Sequence, residues 1–537
     1  MSTLIHNAKI YLERERFAQA LLVGDDGLIA AVGSEEEVRA AAQGLEPELY
    51  DAQGRTIVPG FNDSHQHLFN TGVFLASVKL LGVTTIEEVI ARGRRYIEEN
   101  HPAPGEVVHG MGWNQDYFTD EHRLLTRYDL DKISTEHPII FDRACGHILT
   151  CNTKALEMAG ITVDTVPNAG GAIDVENGEL TGVFRENARA QIRILMAEKS
   201  LELKKRMLRT AIRHANETGV TSVQTTDLRN KDWASTLQAF EEVLGEDRSI
   251  RAYHQFAFMN QADLQAFFDK GYRTGQGDAY NRIGPLKLFV DGSLGARTAL
   301  MRQPYADDPS TQGIATLTES ELDTLVGMAV ERNCSAVVHA IGDAAVENVL
   351  NCYDKFCHDG QNPLRLGIIH VQITDRPLLE RFTKNGILAL VQPIFLHYDT
   401  KIVEDRVGKE LAATSYAFRT LKDLGVHTSY GTDSPIEDMN PIDNLFCAVT
   451  RKTLDGVDRP GFHTEECVDI YDAVDAYTKE SAYVSFEENV KGRLFKGYYA
   501  DLVVLSRDIF TIDPDEILTV KVDATMVGGK FVFEREA

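Results

Sequence analysis

Six polar residues, namely four histidines, one lysine and one aspartate, stand in or just after apolar runs of the sequence. His65 and His67 follow the run TIVPGF, and Lys287 interrupts the run GPLKLFVDG. The other three members of the set are His339, His370 and Asp433. Imidazole nitrogens and carboxylate oxygens are the usual protein ligands of zinc and similar divalent metals. The residue types therefore predict a metal centre, provided that the fold brings these positions together.

Each member of the set also has an ordinary structural explanation. A histidine at a strand end is more often a hydrogen-bonded structural residue, and Asp433 could cap the turn that follows it. Lys287 could face outward. However, His65 and His67 are two residues apart and share one face of an extended segment. The joint placement of all six side chains favours a single site.

Lys287 is unusual among the six residues because its sequence neighbours Leu286, Leu288 and Phe289 are all apolar. Burying a charged amine is costly, so its pKa should fall and the amine should become neutral. A neutral amine can react with carbon dioxide to give a carbamate, which has two ligating oxygens. Two metals need a bridging anion, and no carboxylate is available at this position. We therefore expect one or two divalent metals, zinc first, with a carbamate on Lys287 if there are two.

The apolar runs themselves predict the fold. Eight strand candidates follow one another along the chain, most of them separated by helical periodicity, at 56–61, 219–226, 250–258, 284–292, 334–340, 365–371, 386–393 and 425–433. Eight successive βα units predict an α/β fold, the (β/α)8 TIM barrel. In such a barrel the chemistry lies at the carboxyl ends of the strands. This is where the six residues fall.

Three further segments do not fit the βα repeat. Residues 1–56 and 485–537 are rich in short strands and hairpin signals, and we expect them to form one small β-sandwich domain around the barrel of residues 57–484. The gap between the first two strand candidates is too long for a loop. We therefore expect a large insertion after barrel strand 1, an α/β segment at about 80–200.

The overall composition limits the kinds of binding partner that we expect. The formal net charge of −26 makes nucleic acid and anionic membrane surfaces unfavourable. The chain contains no apolar run of membrane-spanning length and no signal peptide pattern, and its seven cysteines are scattered. We expect a cytoplasmic protein that acts on a small molecule and that could form a homo-oligomer.

Longer motifs resemble a known family. The stretches DAQGRTIVPGFNDSHQH, LKLFVDGSLGARTAL, VVHAIGDAAVENVL, YGTDSPIEDMNP and KGRLFKGYYADLVVLS are similar to those of the amidohydrolase superfamily. The branch that they resemble contains N-substituted formamide deformylase (amidohydrolase family 3). The resemblance covers essentially the whole chain.

The resemblance implies a role for each metal-site residue. His65 and His67 would bind the more buried metal, and His339 and His370 the second. Lys287 would carry the bridging carbamate. Asp433 would contact the metal and the attacking water, and would act first as general base and then as general acid.

Weaker candidates for substrate contact surround this set, and each could equally be structural. They are Trp113, His147, Asp291, Arg297, Gln372 and Gln392.

The leading function is hydrolysis of a non-peptide C–N bond, of amide or N-formyl type, by metal-activated water. An alternative is a mononuclear deaminase or a cyclic-amide hydrolase on the same scaffold. Related deaminases carry a glutamate shortly after the fifth-strand histidine, whereas here no glutamate follows His339 until Glu347, although Asp343 could substitute. A third alternative is an inactive barrel that serves as a binding protein. The complete ligand set argues against it.

Overall fold

The computed structural model describes residues 2–80, 82–143, 148–168, 171–196, 200–229, 231–358, 360–456 and 460–536. The chain divides into two compact units, one formed by Met1–Thr71 with Leu208–Ala537 and the other by Gly72–Met207. The first unit contains both the barrel and the terminal sheets. The domain boundaries expected from the sequence, 1–56 with 485–537 and 57–484, therefore stay a prediction.

Eight parallel strands form the barrel, in an order that follows the chain. Barrel strands 1 to 8 are Phe61–Gln66, Val220–Arg229, Arg251–Ala257, Asn281–Phe289, Ala336–Ala340, Gly367–His370, Leu388–Val391 and Thr428–Tyr430. Backbone hydrogen bonds link the two ends of the sheet: the Asp433 N–H donates to the His65 carbonyl (2.8 Å) and the His67 N–H to the Ser434 carbonyl (2.8 Å). The predicted TIM barrel is confirmed, and its first and last strands meet beside the predicted site.

The first predicted strand is wrong in its placement. The apolar run at 56–61 contains the strand Thr56–Pro59, which belongs to a terminal sheet. Barrel strand 1 is the next segment, Phe61–Gln66, with the sequence FNDSHQ. All six of its residues are buried although five are polar. The seven other strand candidates each contain the corresponding barrel strand in whole or in large part.

Helices alternate with the barrel strands, as the periodicity predicts. The helix before strand 2 is Leu201–Glu217, and Gly219 follows it with a φ of +84° that suits glycine. The helix before strand 5, Glu319–Val330, begins with a capping box of Thr318 and Glu321. The other α-helices of this unit are Glu35–Ala41, Leu68–Leu75, Trp233–Glu246, Gln261–Asp269, Asp343–Tyr353, Arg376–Lys384, Leu396–Asp399, Val403–Val407, Lys409–Ala412, Phe418–Asp423, Pro441–Thr450, Ile470–Ala476 and Lys479–Val484.

Both ends of the chain contribute to two further sheets. The first has the order Ile29–Gly33, Ala20–Val23, Thr3–His6 and Glu48–Asp51. The second has the order Lys530–Glu534, Val522–Val527, Leu502–Leu505, Thr56–Pro59, Lys9–Glu13 and Arg16–Ala18. A shared core of aliphatic side chains, among them Ile10, Leu21, Ile57, Leu502 and Met526, fills these sheets. The hairpin signals at the two ends of the chain correspond to two antiparallel strand pairs, Ala20–Val23 with Ile29–Gly33 and Val522–Val527 with Lys530–Glu534.

The unit Gly72–Met207 has its own mixed sheet of six strands. Their order is Gly171–Glu176, Glu179–Glu186, Ile148–Cys151, Ile139–Arg143, Val108–Trp113 and Val78–Lys79. Its α-helices are Ile86–Asn100, Arg127–Asp131, Thr153–Ala159 and Arg189–Arg193. The α/β segment expected at about 80–200 falls inside this unit.

None of the helices within the described ranges is both long enough and apolar enough to cross a membrane.

Candidate metal centre

The six predicted ligands lie at one end of the barrel. His65, Lys287, His339 and His370 are on strands 1, 4, 5 and 6, His67 directly follows strand 1, and Asp433 follows strand 8. Because the strands are parallel, their carboxyl ends share one face. The imidazole centroids of His65 and His370 are 5.7 Å apart, and those of His339 and His370 are 4.4 Å apart. The structure thus brings together residues that are up to 368 positions apart in the chain.

The backbone around Asp433 is closely constrained. The Asp63 carboxylate accepts hydrogen bonds from the backbone N–H of His65 (3.1 Å) and from the Thr432 hydroxyl (2.5 Å), which fixes strand 1 against the segment after strand 8. A Cβ on Gly431 would lie 2.6 Å from the His65 nitrogen, so only glycine fits there. Asp433 itself has a φ of +55°. Such left-handed backbone at a non-glycine residue is typical of functional sites.

Hydrogen bonds determine which nitrogen of each histidine faces the centre. The Nδ1 of His67 lies 3.0 Å from the Thr226 carbonyl, which can only accept. Nδ1 must therefore carry the proton, and Nε2 presents a lone pair. The Nδ1 atoms of His65 and His370 likewise face amide oxygens, at 2.8 Å and 2.7 Å. In their neutral form, all three rings thus carry the proton on Nδ1 and present Nε2 as a free lone pair.

These lone pairs converge on a carboxylate. The Nε2 atoms of His65 and His67 lie 3.3 Å and 3.2 Å from Oδ1 of Asp433. Oδ1 is buried and has no hydrogen-bond partner. Electron pairs that face one another at this distance repel unless a cation lies between them. The ligand atoms of His65, His370 and Asp433 all fall within 4.8 Å of one another. This donor set fits a divalent metal.

Burial keeps the two innermost histidines uncharged. It lowers the pKa of His65 to about 4, with a further contribution from the positive charge of Lys287. It also holds the pKa of His370 well below its ordinary value, with His339 adding to the effect. Neutral imidazole is the form that binds a metal.

Lys287 is fully buried, and its amine has no hydrogen-bond partner. Nζ lies 4.3 Å from the centroid of the Phe289 ring. Burial lowers the pKa of Lys287 to about 7, although the negative charges of Asp433 and Asp291 oppose the change. The amine is therefore available in its neutral, nucleophilic form near neutral pH. An orphaned amine among metal ligands fits the chemistry that a bridging carbamate requires.

His339 is held differently from the other histidines. Its Nε2 lies 3.0 Å from the Gly292 carbonyl and 3.3 Å from Oδ1 of Asp291. Nε2 therefore carries the proton, and Nδ1 is the free ligating atom. Asp291 also accepts backbone N–H groups of Ile341 and Gly342. These contacts favour a positioning role for Asp291 over direct substrate contact.

Three other predicted substrate contacts also have protein partners. Arg297 forms an ion pair with Asp307 (2.8 Å). Gln372 donates to Asp399 (3.2 Å), and Gln392 is the amide that faces His370. These contacts favour structural or positioning roles, and substrate contact by the three residues stays a prediction.

The two remaining candidates, Trp113 and His147, belong to the unit Gly72–Met207. Trp113 lies in the hydrophobic core of that unit and is fully buried. Its indole N–H donates to the Phe141 carbonyl (3.1 Å). These contacts favour a packing role for the indole ring. His147 lies outside the described residues.

Sequence reasoning missed three residues that shape the centre. Asp63 fixes the backbone of strand 1, Thr226 orients His67, and Gln255 orients His65. Gln255 had a usable signal, since it interrupts the apolar strand IRAYHQFAF. Thr226 acts through its backbone carbonyl, which its residue type does not reveal.

The chain is similar to known proteins along nearly its whole length. A model of the amidohydrolase family matches residues 48–533. The amidohydrolase YtcJ of Bacillus subtilis (strain 168) is 32% identical over 539 residues, covering 100% of both chains. The N-substituted formamide deformylase of Arthrobacter pascens is 26% identical over 98% of this chain and 97% of its own. The crystal structure of an uncharacterized metal-dependent hydrolase from Pyrococcus furiosus has a TM-score of 0.79 at 28% identity, covering 95% of this chain and 100% of that chain.

The family match spans the barrel and about half of the strands of the terminal sheets, and the relatives extend along essentially the whole chain. With the histidines, the lysine and the aspartate at the carboxyl ends of the strands, these matches show that the chain belongs to the amidohydrolase family.

Proposed function

We propose that this chain hydrolyses a non-peptide carbon–nitrogen bond of a small molecule, of amide or N-formyl type, at a centre of two divalent metals. The observation that carries the proposal is the convergence of unprotonated Nε2 atoms of His65 and His67 on the unpartnered Oδ1 of Asp433. Such an arrangement is unfavourable without a cation. It therefore supports a metal-dependent reaction over a purely protein-based one.

The donor set supports two metals. His65, His67 and Asp433 would hold one of them, and His339 with His370 would hold the other. Lys287, as a carbamate, would supply the bridging oxygens, and zinc is our first candidate for the metal. When bound, such metals lower the pKa of a water molecule and polarise a carbonyl oxygen.

The residues of the chain would carry the proton transfers. Asp433 accepts the proton of the attacking water at its carboxylate and then gives it to the departing nitrogen. The low exposure of Asp433, 9%, limits competing contact with bulk water. Its backbone bond to the His65 carbonyl (2.8 Å) keeps the carboxylate at the histidines throughout. One carboxylate can therefore serve as base and as acid without a change of position.

The deaminase alternative has less support. Asp343, the residue that could replace the missing glutamate, accepts backbone N–H groups from Arg302 (2.9 Å) and Ala344 (2.9 Å). A carboxylate that accepts these backbone N–H groups at the first residue of a helix is engaged in a structural role. The remaining parts of the proposal, a cytoplasmic location and a small-molecule substrate, rest on the scattered cysteines and the acidic surface.

The first experiment measures metal per chain by mass spectrometry in the wild type, in Lys287→Ala and in Lys491→Ala. Lys491 is a matched control because it is also a buried lysine, but it pairs with Glu487 (2.6 Å). We expect about two equivalents in the wild type and in the control, and about one or fewer in Lys287→Ala. Carbon-13 NMR after exposure to labelled bicarbonate should show a carbamate signal in the wild type and in Lys491→Ala, and no such signal in Lys287→Ala.

Other outcomes would revise or overturn the proposal. About one equivalent, unchanged in Lys287→Ala, would replace the bridged pair by a single metal. The absence of metal after addition of zinc or manganese would overturn the hydrolytic site. A screen of N-formyl and N-acyl amines then tests the reaction. Release of formate or another carboxylate supports it, whereas release of ammonia from amino-substituted rings supports the deaminase.

A further inference from the structure

Two buried glutamines determine how His65 and His370 face the centre. Gln255 is fully buried on strand 3, and Gln392 is 3% exposed just after strand 7. Their Oε1 atoms lie 2.8 Å from Nδ1 of His65 and 2.7 Å from Nδ1 of His370. The same contact thus recurs on two separate strands.

The orientation of the Gln255 amide is determined by its other neighbours. Its Nε2 donates to the Ser64 carbonyl (3.1 Å), and its Oε1 accepts from the Thr226 hydroxyl (2.8 Å). An inverted amide would place its oxygen against the Ser64 carbonyl, so that two acceptors would face each other. The oxygen must therefore face His65, and it can only accept.

Gln392 is oriented in the same way. Its Nε2 donates to the Leu390 carbonyl (3.2 Å), which leaves Oε1 to accept from His370. The other face of the His370 ring stacks on Phe395 at 5.9 Å between centroids. The amide oxygen of Gln392 thus serves as the hydrogen-bond acceptor for Nδ1 of His370, and the Phe395 ring packs against the imidazole. Together they fix both the tautomer and the plane of the ring.

We propose that Gln255 and Gln392 are positioning residues for metal binding, because their amide oxygens hold His65 and His370 as the Nδ1–H tautomers with Nε2 free. The inference rests on the proposed metal centre and adds two residues to it. An acceptor behind a metal-binding histidine commonly accounts for 10- to 100-fold in metal affinity. Each glutamine should therefore affect affinity without touching the metal.

The test is zinc affinity of the metal-free protein, measured by competition with a chromophoric chelator. Gln255→Leu keeps the approximate volume but removes the acceptor, and should bind zinc about 10- to 100-fold more weakly. Gln255→Glu restores an acceptor oxygen and should recover most of that loss. If Gln255 served only in packing, the order would be reversed, since leucine suits a buried site better than glutamate.

Two further variants complete the design. Gln224→Leu is the matched control, because Gln224 is a fully buried glutamine on strand 2 whose amide donates to the Ser481 carbonyl (2.9 Å) and not to a histidine. Its zinc affinity should equal that of the wild type. Gln392→Leu repeats the test at His370, and it carries the test alone if Gln255→Leu does not fold.

The outcomes separate the two proposals. A wild type that binds no zinc would refute the metal centre itself. A wild type that binds zinc, with Gln255→Leu or Gln392→Leu equal to it in affinity, would refute the positioning role and leave the centre intact. The absorption spectrum of the cobalt-substituted protein gives a second readout. It should change in both leucine variants and remain unchanged in Gln224→Leu.

Discussion

Replacing Lys287 by methionine should make the metal-free protein more stable. Lys287 is fully buried, and its pKa falls from 10.5 to about 7. At about 1.36 kcal/mol for each pH unit, this lowering corresponds to about 5 kcal/mol against the charged form. About 4 kcal/mol of that penalty applies at pH 7. Methionine has a similar length and no charge. However, the variant loses the cation–π contact with Phe289, which costs about 1–2 kcal/mol of stability. The expected net gain is about 2–3 kcal/mol.

The effect should depend on pH in one direction. Between about pH 7 and pH 10.5 the unfolded chain keeps the proton of Lys287, whereas the folded chain has lost it. Since the unfolded state binds more protons in this window, the free energy of unfolding of the wild type rises with pH. Below about pH 7 both states are protonated, and the full penalty remains. Lys287→Met lacks this dependence, so its advantage should shrink as the pH rises and vanish above about pH 10.5.

The assay is chemical denaturation of metal-free, bicarbonate-free protein at several pH values, followed by circular dichroism. Lys491→Met is the control. Lys491 is 4% exposed and pairs with Glu487 at 2.6 Å, so its loss leaves a buried charge and should destabilise the fold. A Lys287→Met protein that is less stable than the wild type at pH 7, or that shows the same rise with pH, would refute the reasoning about this amine.

Three other substitutions have defined expectations. Asp433→Asn should lower kcat by about 10²- to 10⁴-fold, because the proton acceptor is lost; steady-state rates within tenfold of the wild type would contradict its role. Gly431→Ala places a Cβ 2.6 Å from the His65 nitrogen. It should cost about 1–3 kcal/mol and reduce zinc content, measured by denaturation midpoint and by mass spectrometry. Asp501→Asn breaks the buried ion pair with Arg251 (2.7 Å) and should lower the free energy of unfolding by about 3–5 kcal/mol. The zinc content per folded chain should stay constant. A loss of zinc would show that this pair affects the site.

Most barrel strands can be predicted from the sequence, because they are buried on both faces and are therefore apolar. Strand 1 is the exception. Its sequence FNDSHQ is polar because its residues bind one another and the predicted centre, and hydrophobicity alone does not identify such a strand. The apolar pattern therefore indicates the neighbouring segment Thr56–Pro59 in place of barrel strand 1. Thr56–Pro59 is itself a strand, but it belongs to a different sheet. Only its pairing with distant segments of the chain distinguishes it from barrel strand 1.

The site was predicted as a set of residue types, and its internal geometry was not. The sequence does not reveal that Gln255 faces His65, because that contact depends on which side of strand 3 points into the barrel. The ring orientation of His67 depends on a backbone carbonyl, which any residue at position 226 would supply. For Trp113 the sequence leaves both substrate contact and a structural role open, because an aromatic side chain can serve either. Aromatic residues more often fill cores, and there Trp113 lies.

The pairing of Thr56–Pro59 with Leu502–Leu505 has a consequence for biosynthesis. A growing chain on the ribosome exposes one side of Thr56–Pro59 until Leu502–Leu505 has been made, more than four hundred residues later. An unpaired strand edge of this kind is a template for association between chains. Translation that stops before residue 502 would therefore yield a product prone to aggregate, even though every barrel strand is already present in it. Synthesis of the strand Leu502–Leu505 is thus the step that covers this edge of the nascent protein.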